Sequence, residues 1–228
     1  MPDYQFQEPL RPREIKELRI LALWLFPIKT KSLQILSDEE TQWAKKLPIE
    51  RARQYQFSRT HLRDSLSKLL RVPPLDIPIK AIPGKPPTLE KGWGYVSISH
   101  CSDALLIGWS PIKLGIDIER LDRTFSAQKI ANRYFSEEEM PSFNSLTKTH
   151  IGREVLKAWV KKEASIKWQR GSINRDLLHW KLMSRSKIAV HKNYGYKLNI
   201  ESICYRHWTL ATATDFEQGR MQNMLCIN

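Results

Sequence analysis

Six prolines crowd the stretch from Val72 to Pro87, with Gly84 among them. Proline lacks the backbone N–H that helices and central strands use, so no long regular element crosses this stretch. The chain must therefore finish one set of elements before residue 72 and begin another after residue 87. Upstream, Ile20 to Ile28 is a short run of large apolar residues, which predicts a buried strand or a short helix. Ser37-Asp38-Glu39-Glu40 has a small polar cap and acids in the first turn, a helix start. Helical sequence continues past Pro48 through Arg51, Arg53, Arg59 and Arg63 to Leu70. Ile82-Pro83-Gly84-Lys85-Pro86 forms the tip of the loop that follows.

Downstream, Tyr95 to Trp109 predicts two strands around Ser99-His100-Cys101-Ser102-Asp103, and Leu114 to Ile118 a third. Ser136 with Glu139 three residues on has the capping-box spacing, so a helix is expected to open there. Arg153 to Gln169 contains no Gly or Pro and ends at Gly171, which predicts a second helix. Lys187 to Val190 and Trp208 to Thr212 read as strands of the tail. Both sides of the proline stretch mix helix with strand.

A hydrophobic fraction of 41% with eight Trp excludes a disordered chain. The balance of 37 Lys and Arg against 24 Asp and Glu leaves +13, which favours polyanions and acidic proteins as partners without choosing between them. Cys101, Cys204 and Cys226 are scattered and form no CxxC pair, so neither a disulfide framework nor a zinc site is expected, in keeping with a cytoplasmic protein. The longest apolar run, Leu18 to Ile28, is interrupted by Arg19 and Pro27 and is too short to span a membrane. The start, Met1 to Pro9, lacks the basic region of a secretory signal.

Two motifs carry chemistry. Leu114-Gly115-Ile116-Asp117-Ile118-Glu119-Arg120 alternates apolar and acidic residues, so on a strand Asp117 and Glu119 share a face. Close carboxylates raise each other's pKa, and a hard divalent cation such as magnesium relieves that. A half-buried strand with a solvated acidic face has the same pattern. In Lys157 to Trp168, Trp159, Glu163 and Lys167 recur every four residues and share a helix face. Glu163 and Lys167 also fit an ordinary surface pair, with Trp159 as a core anchor.

Together these motifs resemble the two signatures of the 4'-phosphopantetheinyl transferase superfamily: a G-x-D-x-E strand followed by W-x-x-K-E-[AS]-x-x-K. Gly115, Asp117 and Glu119 fill the first; Trp159, Lys162, Glu163, Ala164 and Lys167 fill the second. Arg133-Tyr134-Phe135-Ser136 to Glu139 is similar to the family's R-x-F-S-x-x-E link. Gly84-Lys85-Pro86 and Ser97-Ile98-Ser99-His100 resemble the G-K-P and S-I-S-H elements of its long, surfactin-synthetase-activating type. The likeness runs from about Arg51 to Lys167.

The resemblance implies an α+β fold of two similar α/β halves related by a pseudo-twofold axis, in a monomer with its active site in the cleft between them. Residues 1–112 would form the coenzyme A 3'-phosphate side and 113–228 the magnesium and catalytic side. The implied reaction moves the 4'-phosphopantetheine of coenzyme A onto a serine of an apo acyl or peptidyl carrier protein, releasing 3',5'-ADP. Fatty-acid, polyketide and nonribosomal peptide pathways all use such carriers. The family's pattern assigns Mg2+ to Asp117, Glu119 and Glu163. Glu163 is the expected base, directly or through a metal-bound water, with His100 the competing candidate. Lys167 and Lys162 are expected on the cofactor's phosphates, Lys85, Ser99 and His100 at the 3'-phosphate, and Arg53 and Arg63 as further phosphate contacts. Exposed hydrophobics within Ile130 to Phe143, with nearby basic residues, are a candidate carrier surface.

Two other classes of protein share parts of this pattern. A magnesium-dependent nuclease of the PD-(D/E)xK kind would suit +13, but its Glu and Lys stand two apart on a strand. A noncatalytic nucleic-acid-binding module leaves the paired motifs unexplained, and no known binding pattern accompanies the charge. Neither nucleic acid nor a membrane is therefore expected as a partner.

Overall fold

The computed structural model describes residues 8–28, 34–144, 146–183, 186–215 and 222–227. The first seven residues of the Met1 to Pro9 segment lie outside the described residues. The fold is a mixture of helices and sheets in two compact units, which interleave along the chain. The first comprises the described residues up to Ile98, Ile107–Ile112 and the last strand. The second comprises Ser99–Leu106 and the described residues from Lys113 to 215.

In chain order the first unit opens with α1 (Pro12–Glu17), β1 (Ile20–Pro27), α2 (Asp38–Lys45) and α3 (Ile49–Leu70). A single 3-10 turn, Pro74–Asp76, and the short pair β2 (Ile79–Lys80) and β3 (Thr88–Leu89) occupy the proline stretch. Ser37 caps α2 as its sequence predicts, its hydroxyl accepting from Glu40 N while the Glu40 carboxylate accepts from Ser37 N. The strands β4 (Tyr95–His100) and β5 (Ala104–Ser110) form a hairpin. Its turn, from Ser99 to Leu106, counts with the second unit. The sheet order is β11-β1-β5-β4, where β11 (Gln222–Ile227) runs parallel to β1 from Ile20↔Gln222 to Leu25↔Ile227.

Along the basic helix α3, Arg51 and Arg53 are exposed while Arg59 and Arg63 are buried. From Ser58 to Ser67 every residue is buried, and α3 packs against α2 and the 3-10 turn. Arg63 is 3% exposed; its Nε donates to Glu40 Oε2 at 2.7 Å, and its Nη1 donates to the Pro74 and Ile77 carbonyls at 3.0 and 3.1 Å. One guanidinium thus ties α2, α3 and the proline segment together. His61 is buried too, stacked on Phe26 at 4.3 Å.

The second unit is built on β6 (Leu114–Arg120), α4 (Ala127–Tyr134), α5 (Pro141–Asn144), α6 (Lys148–Gln169), α7 (Ile173–Asp176), β7 (Trp180–Leu182), β8 (Ile188–His191), β9 (Lys197–Tyr205) and β10 (Trp208–Asp215). Its five strands pair antiparallel in the order β6-β10-β9-β8-β7. Helix α6 lies across the sheet and seals a core of Val160, Ala164, Trp168, Trp180, Leu198 and Ala213.

Two local expectations change. Residues 137–140 form a turn that runs directly into the four-residue α5, so the helix expected at Ser136 is late and short; the Glu139 carboxylate closes the box on Ser136 N and also accepts from Lys162 of α6 and from Leu182 N. Helix α6 begins at Lys148, earlier than Arg153, and its left-handed terminal residue is Arg170 at φ 59°, one before Gly171. The N–H of Gly171 still closes the end on Ile166 O at 3.0 Å.

Candidate active site

The site begins with Gly115. A Cβ on this residue would stand 2.0 Å from Ala164 O and 2.3 Å from Trp168 N, so glycine is what lets the α6 backbone lie directly on β6. Two residues along the strand, Asp117 therefore meets Lys167 one helical turn after Glu163. Lys167 Nζ donates to Asp117 Oδ1 and to Ser99 Oγ, each at 2.6 Å, and Ser99 Oγ donates to Asp117 Oδ1 at 2.6 Å. Asp117 is 3% exposed, and its second oxygen, Oδ2, is buried without a donor.

Glu163 stands within electrostatic reach of Asp117, Lys167 and Glu119. Burial first, and then the Asp117 charge, push its carboxyl up to about 7, against the opposing pull of Lys167. Burial also raises Glu119, whose carboxylate pairs with Arg123. Strand pleating and helical phase thus bring Asp117, Glu119, Glu163 and Lys167 into one cluster, with Ser99 from the β4–β5 hairpin. A carboxyl titrating near neutrality beside an ammonium can exchange a proton with a hydroxyl at physiological pH.

Among the described residues no group of three or more His, Cys, Asp or Glu side chains is arranged to hold a metal ion. Asp117 is ion-paired with the Lys167 ammonium. The donor chemistry nevertheless suits a hard cation: three neighbouring carboxyls, two of them raised, and one bare buried oxygen.

Other expected site residues lie elsewhere or point elsewhere. Lys162, expected on a phosphate, is 0% exposed and points into the core. Its Nζ donates to Glu139 Oε2 at 2.9 Å and Tyr134 O at 3.0 Å and sits over the Phe135 ring. Neighbours on a helix point about 100° apart, so a Lys next to Glu163 cannot share its direction. Arg63 is likewise consumed internally, as described above. In the first unit, Arg53 is exposed and paired with Glu50, and Lys85 is exposed in a turn whose Gly84 has φ 77°. His100 is exposed at the end of β4. Phe135 and Phe143 are buried against each other at 5.1 Å, so they offer no surface to a carrier.

Sequence reasoning passed over Arg59. It is buried, and its Nε and Nη1 have no acceptor. Nothing in the letters sets it apart from its neighbours, because its singularity comes from the burial of α3.

Residues 113–218 match the model of the 4'-phosphopantetheinyl transferase superfamily. The matched segment holds Gly115, Asp117, Glu119, Glu163 and Lys167, and excludes Ser99 and His100. No curated protein matches the chain.

Proposed function

We propose that this protein transfers the 4'-phosphopantetheine arm of coenzyme A to a serine of an apo carrier protein, releasing 3',5'-ADP. The family match over residues 113–218 supports the class of reaction. The observation that carries the reading is the close approach of α6 to β6 at Gly115, which sets Lys167 on Asp117 at 2.6 Å with Glu163 one helical turn before it.

In this reading Glu163 takes the proton of the carrier serine, whose hydroxyl is a poor nucleophile until that proton leaves. In the metal-free protein burial raises this carboxyl to about 7, within range of proton exchange at neutral pH. The new bond joins the serine oxygen to phosphorus, and the bond that breaks frees 3',5'-ADP. Lys167 moves its ammonium from Asp117 to the pyrophosphate oxygens and counters the charge that grows there. Asp117, Glu119 and Glu163 would hold Mg2+, which when bound neutralises phosphate charge as the bond breaks.

His100 and Lys85 remain candidates for the 3'-phosphate and Arg53 for a further phosphate contact. Arg59 joins them on the strength of its unused N–H groups. Two pseudosymmetric halves, a coenzyme A cleft between them, a monomeric state and a cytoplasmic location all belong to this proposal. No described helix is long and apolar enough to cross a membrane.

The direct test incubates the protein with coenzyme A, Mg2+ and a set of apo carriers, then weighs each carrier by mass spectrometry. A gain of one phosphopantetheine is the expected result. Unchanged mass on several unrelated carriers overturns the proposal.

A further inference from the structure

His100 is the last residue of β4, and only Cys101, Ser102 and Asp103 separate it from β5. Cys101 N donates to Ala104 O at 3.0 Å and closes this turn. Asp103, its final residue, gathers Cys101, Arg120, His207 and Trp208 around one carboxylate. From within the turn the Cys101 thiol donates to Oδ1 at 3.3 Å. From outside it the Trp208 indole Nε1 donates to the same oxygen at 2.9 Å, and Arg120 Nη1 donates to Oδ2, with His207 Nε2 at 3.3 Å. Arg120 ends β6, Trp208 opens β10, and the two are partners in the strand register, so they form a single mount with two prongs. Burial would raise the Asp103 carboxyl, but the bonds from Trp208, Cys101 and Arg120 outweigh it and hold the group below the usual carboxylate range. Asp103 therefore stays charged, and charge-assisted hydrogen bonds are the stronger kind.

At the start of the same segment, Ser99 Oγ donates to Asp117 Oδ1 at 2.6 Å. The chain is thus tied to β6 twice, at Asp117 through Ser99 and at Arg120 through Asp103. His100 lies between the two ties, and its side chain takes the opposite face from that of Ser99 because neighbours on a strand alternate. With the second tie cut, nothing outside the turn holds its Asp103 end to β6 and β10.

We infer that Asp103 is a positioning residue for the cofactor's 3'-phosphate: by fastening the β4–β5 turn to Arg120 and Trp208, it holds the His100 imidazole where that phosphate binds. Asp103 itself touches no substrate. The inference rests on the transferase reading, which gives His100 to the 3'-phosphate.

The sign of the effect separates positioning from charge and from general stability. Removing an anion and releasing Arg120 would, by electrostatics alone, tighten the hold on a phosphate. A loosened fold would weaken coenzyme A and dephospho-coenzyme A alike. Positioning weakens coenzyme A and spares the form that lacks the 3'-phosphate.

Calorimetric titration of both compounds into Asp103→Ala reads the difference. The Kd of coenzyme A is expected to rise on the order of 10-fold, about what one hydrogen bond to a charged group is worth, with that of dephospho-coenzyme A unchanged. Asp103→Asn keeps the shape and an acceptor for Trp208 but not the charge for Arg120, and the same selective loss is expected. His100→Ala is expected to show it too, and adding Asp103→Asn to His100→Ala to cost nothing more, because Asp103 acts through His100. Amide hydrogen exchange is expected to quicken at residues 101–104 in the Asp103 variants while the rest of the second unit stays protected.

Equal losses on both compounds, tighter binding of coenzyme A, or losses that add in the double variant overturn the inference, as does exchange at residues 101–104 as slow as in wild type. If wild type binds neither compound, the transferase reading falls and the role of His100 with it, an outcome distinct from a wild type that binds both and a variant that matches it. Should Asp103→Ala fail to fold by circular dichroism, Asp103→Asn carries the same test.

Discussion

Glu163 holds a proton that an exposed glutamate would have released. Between the ordinary 4.5 and the raised value of about 7, the folded chain binds a proton that the unfolded chain has lost. Stability contributed by this group therefore falls as pH rises through that window, and the full penalty stands above it. Glu163→Gln removes the penalty. In chelator at pH 8 the variant is expected to be more stable than wild type by up to about 3–4 kcal/mol, at ~1.4 kcal/mol per pKa unit, and so to unfold at a higher temperature. The difference should vanish below pH 4.5, and the same variant should transfer no phosphopantetheine. Circular dichroism melts across pH check the first outcome; equal melting at pH 8 would show that the carboxyl carries no penalty.

Lys162 makes the opposite case. Removing one partner of a buried ion pair leaves the other charged and dry, so Lys162→Ala is expected to cost about 3–5 kcal/mol in urea unfolding. If the variant stays folded and only its KM for coenzyme A rises, Lys162 is a phosphate contact after all. The letters made Asp117, Glu119, Glu163 and Lys167 legible because strand and helix periods are local. They could not show Lys162 and Arg63 turned inward, since that depends on what Glu139 and Glu40 do far along the chain.

Helix α6 and strand β6 act as one element at the site. Their separation is set by the missing Cβ of Gly115. Gly115→Ala must push α6 off the sheet, which moves Glu163 and Lys167 away from Asp117. Forcing extra atoms into a packed contact costs about 1–3 kcal/mol. Here the obstacle is backbone, so the upper end is expected, together with a large loss of transfer. Chemical denaturation measures the first and carrier mass gain the second; a variant with native stability and rate would show that the helix can yield without cost. The element boundaries were well foreshadowed where caps are local, as at Ser37 and Leu70. At Ser136 the box bond forms but the helix is delayed to Pro141, and the further bonds of Glu139 to Lys162 and Leu182 involve residues that no window around Ser136 contains.

At the scale of the whole molecule, the mixture of helix and sheet was legible from the proline stretch and the two hydrophobic periods. The interleaving of the two units was not. It depends on β11 returning to pair with β1, and on the β4–β5 turn bonding to Asp117 and Lys167. Removal of residues 222–227 would leave the apolar strand β1 with an unpaired backbone edge, a template for association with other copies. The shortened chain is expected to scatter light and sediment at concentrations where the full chain stays clear. An equally clear solution would show that β1 needs no partner on that side.

The parallel pairing of β11 with β1 also sets a timetable. During synthesis β1 is made early, while its partner strand leaves the ribosome after every other described residue. The N-terminal sheet therefore waits, open along one side, while the segment carrying Asp117, Glu163 and Lys167 is already free to close. A rearranged gene that moved β11 ahead of β1 would end that wait. It would also turn the longest-range pairing in the sheet into one of the shortest, and refolding should quicken accordingly.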